Sequence, residues 1–201
     1  TARKKLGIPD TVKCVILSFG GSKGATTVNR AAIEIMRKVV ADNPEVMHVH
    51  AAGSREYERV KQDFAGYGLE RRERLVLREY IYDMPLWMAA ADVVLCRAGA
   101  STISELTALG KPTVMVPSPY VTNNHQEKNA RALEEHGGVE VLLEKDSSGQ
   151  ALFQAAAGIL HDDARRRTME QAMTALGVRD AAERIYETVQ AVMNGEKQPD
   201  G

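Results

Sequence analysis

The chain has 201 residues, 44% hydrophobic and 26% charged, with a formal net charge of −1. That length can bury the core of one domain, and the near-neutral balance excludes a dedicated nucleic-acid binder, which is usually basic. No apolar run approaches the roughly 18 residues a membrane span needs, and the polar start Thr1-Ala2-Arg3-Lys4-Lys5 is not expected to be a signal peptide, so a cytoplasmic location is expected.

Taken in order, Val12 to Phe19 predicts a strand and Gly20-Gly21-Ser22-Lys23-Gly24 a turn. From Ala25 to Val40 the apolar positions Ile33, Met36, Val39 and Val40 recur at helical spacing. Val46 to Ala51 predicts a second strand ended by Gly53, followed by a polar helix from Glu56 to Ala65. Leu75 to Ile81 predicts a third strand, Pro85 to Ala91 a short helix, and Asp92 to Cys96 a buried strand. A helix from Thr102 to Leu109 follows, stopped by Gly110-Lys111-Pro112. Thr113 to Val116 is a strand, Gln126 to His136 a helix, and Val139 to Leu143 the last strand. From Gly149 to Asn194 only helical patterns remain, and residues 195–201 are expected to form a flexible tail.

Alternation of strands and helices implies one doubly wound, Rossmann-like α/β domain with a parallel sheet. In such a sheet a ligand sits outside the carboxyl ends of the strands, near the switch point. Two turns fall on that edge. Gly20 to Ala25 follows a strand and opens a helix, so its backbone can approach phosphate oxygens and Ser22 can donate a hydroxyl. A tight turn without a ligand explains the same residues. The loop lacks the Gly-x-Gly-x-x-Gly spacing, no acid ends the second strand, and there is no Gly-Lys-Ser/Thr ending. Neither a nicotinamide cofactor nor a P-loop is therefore expected.

The second turn, Arg97-Ala98-Gly99-Ala100-Ser101-Thr102-Ile103-Ser104-Glu105, places small residues at a helix start, where the dipole favours an anion. Glu105 has two readings. It can close a capping box with Thr102, or it can accept two hydrogen bonds from a ribose diol. In Asn123-Asn124-His125-Gln126-Glu127-Lys128-Asn129, Asn124 suits a helix cap, and Gln126 and Asn129 share a helix face. Their amides suit sugar hydroxyls, or simply a solvated helix start.

Cys14 and Cys96 lie in strands and read as reduced core residues. His48 and His50 alternate along a strand with no third ligand at metal spacing, so no metal site is expected. Arg165-Arg166-Arg167 reads as a solvated helix face, and Met84, Trp87 and Met88 as core packing.

Together these segments resemble the MurG family of peptidoglycan N-acetylglucosaminyltransferases. The family's Gly-Gly-Ser-x-Gly-Ala loop is matched by Gly20 to Ala25, its Arg-x-Gly-Ala-x-Thr-x-x-Glu segment by Arg97 to Glu105, and its His-Gln-x-x-Asn-Ala segment by His125 to Ala130. The resemblance implies the C-terminal half of a GT-B glycosyltransferase, transferring N-acetylglucosamine from UDP-GlcNAc to lipid I with inversion to give lipid II. It implies that Gly21 and Ser22 contact the diphosphate and that Ile81 meets uracil through its backbone. Ala100, Ser101 and Thr102 would offer N–H groups to phosphate, Glu105 would hold the ribose, and His125, Gln126 and Asn129 belong to the sugar-contacting segment. No cofactor is implied.

Two features depart from the family. Lys23 stands where Gln or Arg is usual, and nothing matches the N-terminal acceptor domain with its Gly-Gly-Thr-Gly-Gly-His loop. Residues 1–11 then read as the remnant of an interdomain linker and residues 12–194 as the donor-binding domain. The fragment alone would be inactive, its catalytic base lying in the missing domain. The full-length protein would sit on the cytoplasmic face of the membrane. The alternatives are a stand-alone donor-site subunit that works with a separate partner, and a non-catalytic nucleotide-sugar binding module.

Overall fold

A computed structural model of the chain describes residues 1–40 and 43–194. The strands are β1 (Cys14–Phe19), β2 (Val46–Ala51), β3 (Leu75–Arg78), β4 (Val93–Cys96), β5 (Thr113–Met115) and β6 (Val139–Val141). They form one sheet in the order β3-β2-β1-β4-β5-β6, and every neighbouring pair is parallel. This is the expected doubly wound arrangement, with its switch point between β1 and β4. The helices are α1 (Ala2–Lys5), α2 (Thr26–Ile35), α3 (Tyr57–Gly66), α4 (Met84–Ala90), α5 (Ala100–Leu109), α6 (His125–Glu135), α7 (Gly149–Leu160), α8 (Asp163–Leu176) and α9 (Ala181–Met193). The expected tail, residues 195–201, lies outside the described residues.

Strand alternation divides the core into two layers. Val15, Leu17 and Phe19 face one layer with Met88, Leu106, Ala130 and Met173, beneath α4, α5, α6 and α8. Ile16 faces the other with Val28, Val60, Leu152 and Ile159, beneath α2, α3 and α7. Cys96 is buried and Cys14 half-buried, and both are free thiols. Burial, with Asp92 nearby, pushes the Cys14 thiol up to about 12. Trp87 and Met84 pack against the first layer, as expected. Arg165 and Arg167 are exposed, and Arg165 and Arg166 pair with Glu140 and Asp163, each at 2.7 Å.

Several boundaries differ from the sequence expectation. The third strand stops at Arg78, short of Ile81. Its partner β2 supplies only Ala52 and Gly53 N–H beyond its own end, bonded to Arg78 and Glu79 carbonyls, before turning into α3. β6 stops at Val141 because β5, its sole neighbour, has ended at Met115. The helix after β1 runs Thr26–Ile35 and widens into a π turn over Met36–Val40. Residues 1–11 hold α1, and Arg3 pairs with Asp92 at 2.6 Å while Ile8 enters the core.

A buried polar chain crosses beneath the switch point. His48 and His50 on β2, Ser18 on β1 and Asn29 on α2 are all fully buried. Asn29 Nδ2 donates to the Ala52 carbonyl at 2.9 Å, so its Oδ1, 3.0 Å from His50 Nε2, must accept. Ser18 Oγ lies 2.8 Å from both His50 Nδ1 and His48 Nε2, and His50 Nδ1 also lies 3.0 Å from the Ser18 carbonyl. The histidines are structural, as expected, but they are linked groups and not separate strand residues. His48 Nδ1 has no partner.

This chain ends on the Ala52 carbonyl, which lies against the turn after β1. A Cβ on Gly24 would stand 2.1 Å from that carbonyl oxygen, and one on Gly53 would stand 2.0 Å from the Gly24 nitrogen. The end of β2 and the glycine turn are thus in backbone contact, which only glycine permits.

Two stability predictions follow from this arrangement. Burial lowers His48 to about 3 and His50 to about 4, so both stay neutral in the fold. The unfolded chain takes up protons below about pH 6.5, so stability is greatest above that pH and falls as pH drops toward the folded values. At pH 5 each histidine should cost about 2 kcal/mol relative to pH 8, with no such slope in a His48→Gln/His50→Gln variant. Urea titrations at the two pH values measure it. Gly53→Ala should destabilise by about 1–3 kcal/mol, because a side chain at φ +81° meets backbone, and its thermal midpoint should fall accordingly.

Candidate functional site

Two adjoining cavities open at the carboxyl ends of β1 and β4. The larger, about 580 Å³, is lined by Gly20, Gly24, Thr27, Arg97, Gln126 and Glu144 with their neighbours. The smaller, about 280 Å³, is lined by Ser22, Tyr80, Ile81, Met84, Met88 and Glu105 with theirs. Phe19, Gly21, Ser101 and Thr102 border both, so the two form one bent cleft.

The glycine turn borders this cleft through Gly20, Gly21, Ser22 and Gly24. The carbonyls of Gly21, Ser22 and Lys23 accept from the N–H groups of Gly24, Ser54 and Arg55 at 3.0, 3.0 and 3.3 Å. Among the described residues the Ser22 and Lys23 N–H groups have no main-chain acceptor. α2 then begins at Thr26, and its first internal bond is Asn29 N–H to Ala25 O at 2.9 Å. The N–H groups of Thr26, Thr27 and Val28 precede that bond and have no carbonyl in the helix to meet.

α5 repeats the pattern from the other side. It starts at Ala100, two residues before the expected Thr102, with Gly99 as its cap residue. The first internal bond is Ile103 N–H to Gly99 O at 2.9 Å. Ala100, Ser101 and Thr102 therefore supply the free N–H groups. Two helix N-termini, one from each face of the sheet, thus bring partial positive charge to one cleft.

The start of α5 removes the capping reading of Glu105. Thr102 lies inside the first turn and caps nothing, so no capping box forms. Glu105 is exposed, lines the smaller cavity, and has no hydrogen-bond or ion-pair partner among the described residues. Across that cavity Ile81, side chain buried, lies past the end of β3, and its main chain makes no hydrogen bond among the described residues. A free carboxylate, a free main-chain edge and a cluster of N–H groups share one cleft.

Gln126 is fixed by its own oxygen. Its Oε1 accepts from Ser118 N–H at 3.0 Å, which leaves the amide NH₂ to donate. His125 Nδ1 donates to the Thr122 carbonyl at 3.0 Å. Asn124 occupies the cap position of α6 in a left-handed conformation, but its side chain does not cap; it donates to Glu127 at 2.6 Å.

The cleft brings together Gly21, Ser22, Ile81, Ser101, Thr102, Glu105 and Gln126 from the sequence expectation. Ala100, His125 and Asn129 border neither cavity. Ala100 contributes only its N–H, and Asn129 sits one turn along α6. Sequence reasoning missed Thr27, Ser118, Tyr120 and Glu144, and gave Arg97 no role. Thr27 was findable from the free N–H groups of a helix after the glycine turn. Glu144 follows β6 and carried no signal in sequence.

Arg97 Nη1 donates to the carbonyls of Val116 and Pro117 at 3.0 and 3.3 Å and to Glu144. Thr27 Oγ1 donates to the other Glu144 oxygen at 2.5 Å. Burial raises the Glu144 carboxyl, but the hydrogen bonds from Arg97 and Thr27 and the Arg97 charge outweigh it, and the net displacement is downward.

Residues 15–185 match the glycosyltransferase family 28 C-terminal domain. Over 193 residues the chain is 42% identical to an Acetivibrio thermocellus protein, covering 96% of this chain and 51% of that one. That relative is named UDP-N-acetylglucosamine–N-acetylmuramyl-(pentapeptide) pyrophosphoryl-undecaprenol N-acetylglucosamine transferase. A Bacillus pumilus protein of the same name is 38% identical over 189 residues, covering 94% and 50%. The chain thus spans about half the length of the curated relatives it matches. Among solved structures, Acinetobacter baumannii MurG superposes with a TM-score of 0.70 at 24% identity, covering 88% of this chain and 52% of that one. The S. aureus MnaA–UDP complex superposes at 0.72 and 18% identity, covering 100% and 51%. At such identities these two show the fold alone. The match over residues 15–185 shows the family: the chain belongs to glycosyltransferase family 28, as its C-terminal domain.

Proposed function

We propose that this domain binds UDP-GlcNAc and presents its anomeric carbon to an acceptor held by a partner half outside the chain. The observation that carries this is the unpartnered Glu105 carboxylate, freed from capping by the early start of α5 and set across a cavity from Ile81. Uracil meets the Ile81 main chain, the ribose diol donates to Glu105, and the diphosphate meets the N–H groups after β1 and at α5. The sugar lies toward Gln126, whose NH₂ donates to its hydroxyls. As the bond to the diphosphate breaks, those fixed N–H groups stabilise the leaving charge without reorganising.

The names of the relatives support transfer of N-acetylglucosamine to an N-acetylmuramyl-(pentapeptide) pyrophosphoryl-undecaprenol, lipid I, and this reading takes the transfer to give lipid II with inversion. Deprotonating the acceptor hydroxyl needs a base, which this reading assigns to the half of the relatives' length that the chain does not span. No helix among the described residues is long and apolar enough to cross a membrane. Contact with the cytoplasmic face of the membrane, where lipid I would be met, is assigned to the full-length protein. On α9, Ile185, Tyr186, Val189 and Val192 stand exposed along one stripe, a surface suited to the missing half.

Calorimetry with UDP-GlcNAc, ADP and NAD tests the reading. UDP-GlcNAc should bind and the other two should not; equal binding of ADP would sink the uridine assignment. Glu105→Gln should weaken UDP-GlcNAc by about 10- to 100-fold, the worth of hydrogen bonds to a charged acceptor, with an unchanged thermal midpoint. UDP-GlcNAc lacking its ribose 2′-hydroxyl should bind the wild type more weakly and the Glu105→Gln variant nearly as well as the intact donor does.

A further inference from the structure

The two helix starts that face the larger cavity belong to opposite layers of the molecule. α2 packs on α3 and α7, and α5 packs on α4 and α8. Below them the sheet fixes β1 beside β4, from Ile16↔Val93 to Phe19↔Cys96. Above the sheet one side chain bridges the two sides. Glu144, in the turn after β6, accepts from Thr27 in the first turn of α2 through Oε1 and from Arg97, ahead of α5, through Oε2. Arg97 is in turn held by the carbonyls of Val116 and Pro117, after β5. Three chain segments, up to 117 residues apart, therefore meet on one carboxylate, and a fourth holds the arginine.

An ion pair with side chains only 12% and 20% exposed is a weak source of stability, since desolvation offsets most of the attraction. Its placement says more. Thr27, Arg97 and Glu144 all line the larger cavity, beside Gly24, Gly99, Ser101 and Thr102. The Arg97 charge is matched by Glu144, and its Nη1 faces three oxygens. Main-chain N–H groups of both helix starts border the same cavity, and their usefulness to an anion depends on their spacing.

We propose that Glu144 is a positioning residue for the donor diphosphate: by bridging Thr27 and Arg97 it sets the distance between the helix starts that bind the anion. This rests on the reading of the cleft as a nucleotide-diphosphate site. Glu144→Ala, Glu144→Gln and Thr27→Val test it in this chain, with UDP and uridine as probes and amide hydrogen exchange of the unliganded protein as a readout that needs no ligand.

Glu144→Ala should lower UDP affinity about tenfold or more and leave uridine within twofold. Thr27→Val, which keeps the ion pair, should lower UDP affinity about threefold. Glu144→Gln, which keeps the acceptor for Thr27, should recover part of the loss seen with alanine. In the unliganded alanine variant, exchange should quicken at both 21–27 and 99–102. Equal losses for UDP and uridine would reduce Glu144 to a general stabiliser. Unchanged or tighter UDP binding would make it a counter-charge instead, and quickening confined to the turn after β6 would remove the bridge. Should the wild type bind neither probe, the nucleotide reading fails, while the exchange pattern still decides whether Glu144 couples the two segments. If Glu144→Ala does not fold, Thr27→Val carries the same comparison.

Discussion

The central strand β1 pairs with β2 on one side and β4 on the other, and the rest of the cleft depends on that choice. Chain leaving β1 covers one layer of the sheet, and chain leaving β4 covers the other. The two connections cannot share the space above the strand ends, so a gap opens there. Parallel pairing also sends both strands the same way, so each delivers a helix N-terminus to that gap. The positive partial charge at this edge is a product of topology before it is a product of side chains. Residues then refine it: glycines let the backbone close in, and Thr27, Arg97 and Glu144 join the two sides.

The alternation of strands and helices, and hence the doubly wound sheet, could be read from the sequence, because buried parallel strands are short apolar runs punctuated by glycine and proline. What could not be read was where each strand stops. Ile81 is as apolar as the residues of a strand, but β2 had already turned away and left it no partner. The start of α5 was misplaced for a related reason. Ala100 and Ser101 carry no apolar period, so the helix seemed to begin at Thr102, and a capping box followed from that error. Shifting the start by two residues turned Glu105 from a capping group into a free carboxylate.

The candidate site divides along the same line. Gly21, Ser22, Ser101, Thr102, Glu105 and Gln126 sit in compact motifs next to strand ends, where local pattern is enough to place them. Glu144 is distant in sequence from both of its partners and lies in a turn with no distinctive composition. Only the packing of β6 beyond β5 carries it to the cleft. Similarly, the spacing of His48 and His50 showed that they share a face. It could not show that the Ser18 hydroxyl stands between them, 2.8 Å from a ring nitrogen of each.

The contact between Gly24 and Gly53 has a kinetic consequence. The glycine turn rests on the end of β2 and on a carbonyl that Asn29 holds from beneath, so its shape exists before any ligand arrives. A preformed cradle has little left to order when a nucleotide enters, and association is then governed by diffusion and charge. Changes that loosen the turn will act mainly on how long a bound nucleotide stays. On the proposed reading of the cleft, the rigidity of two touching glycines helps to set how long a bound diphosphate stays.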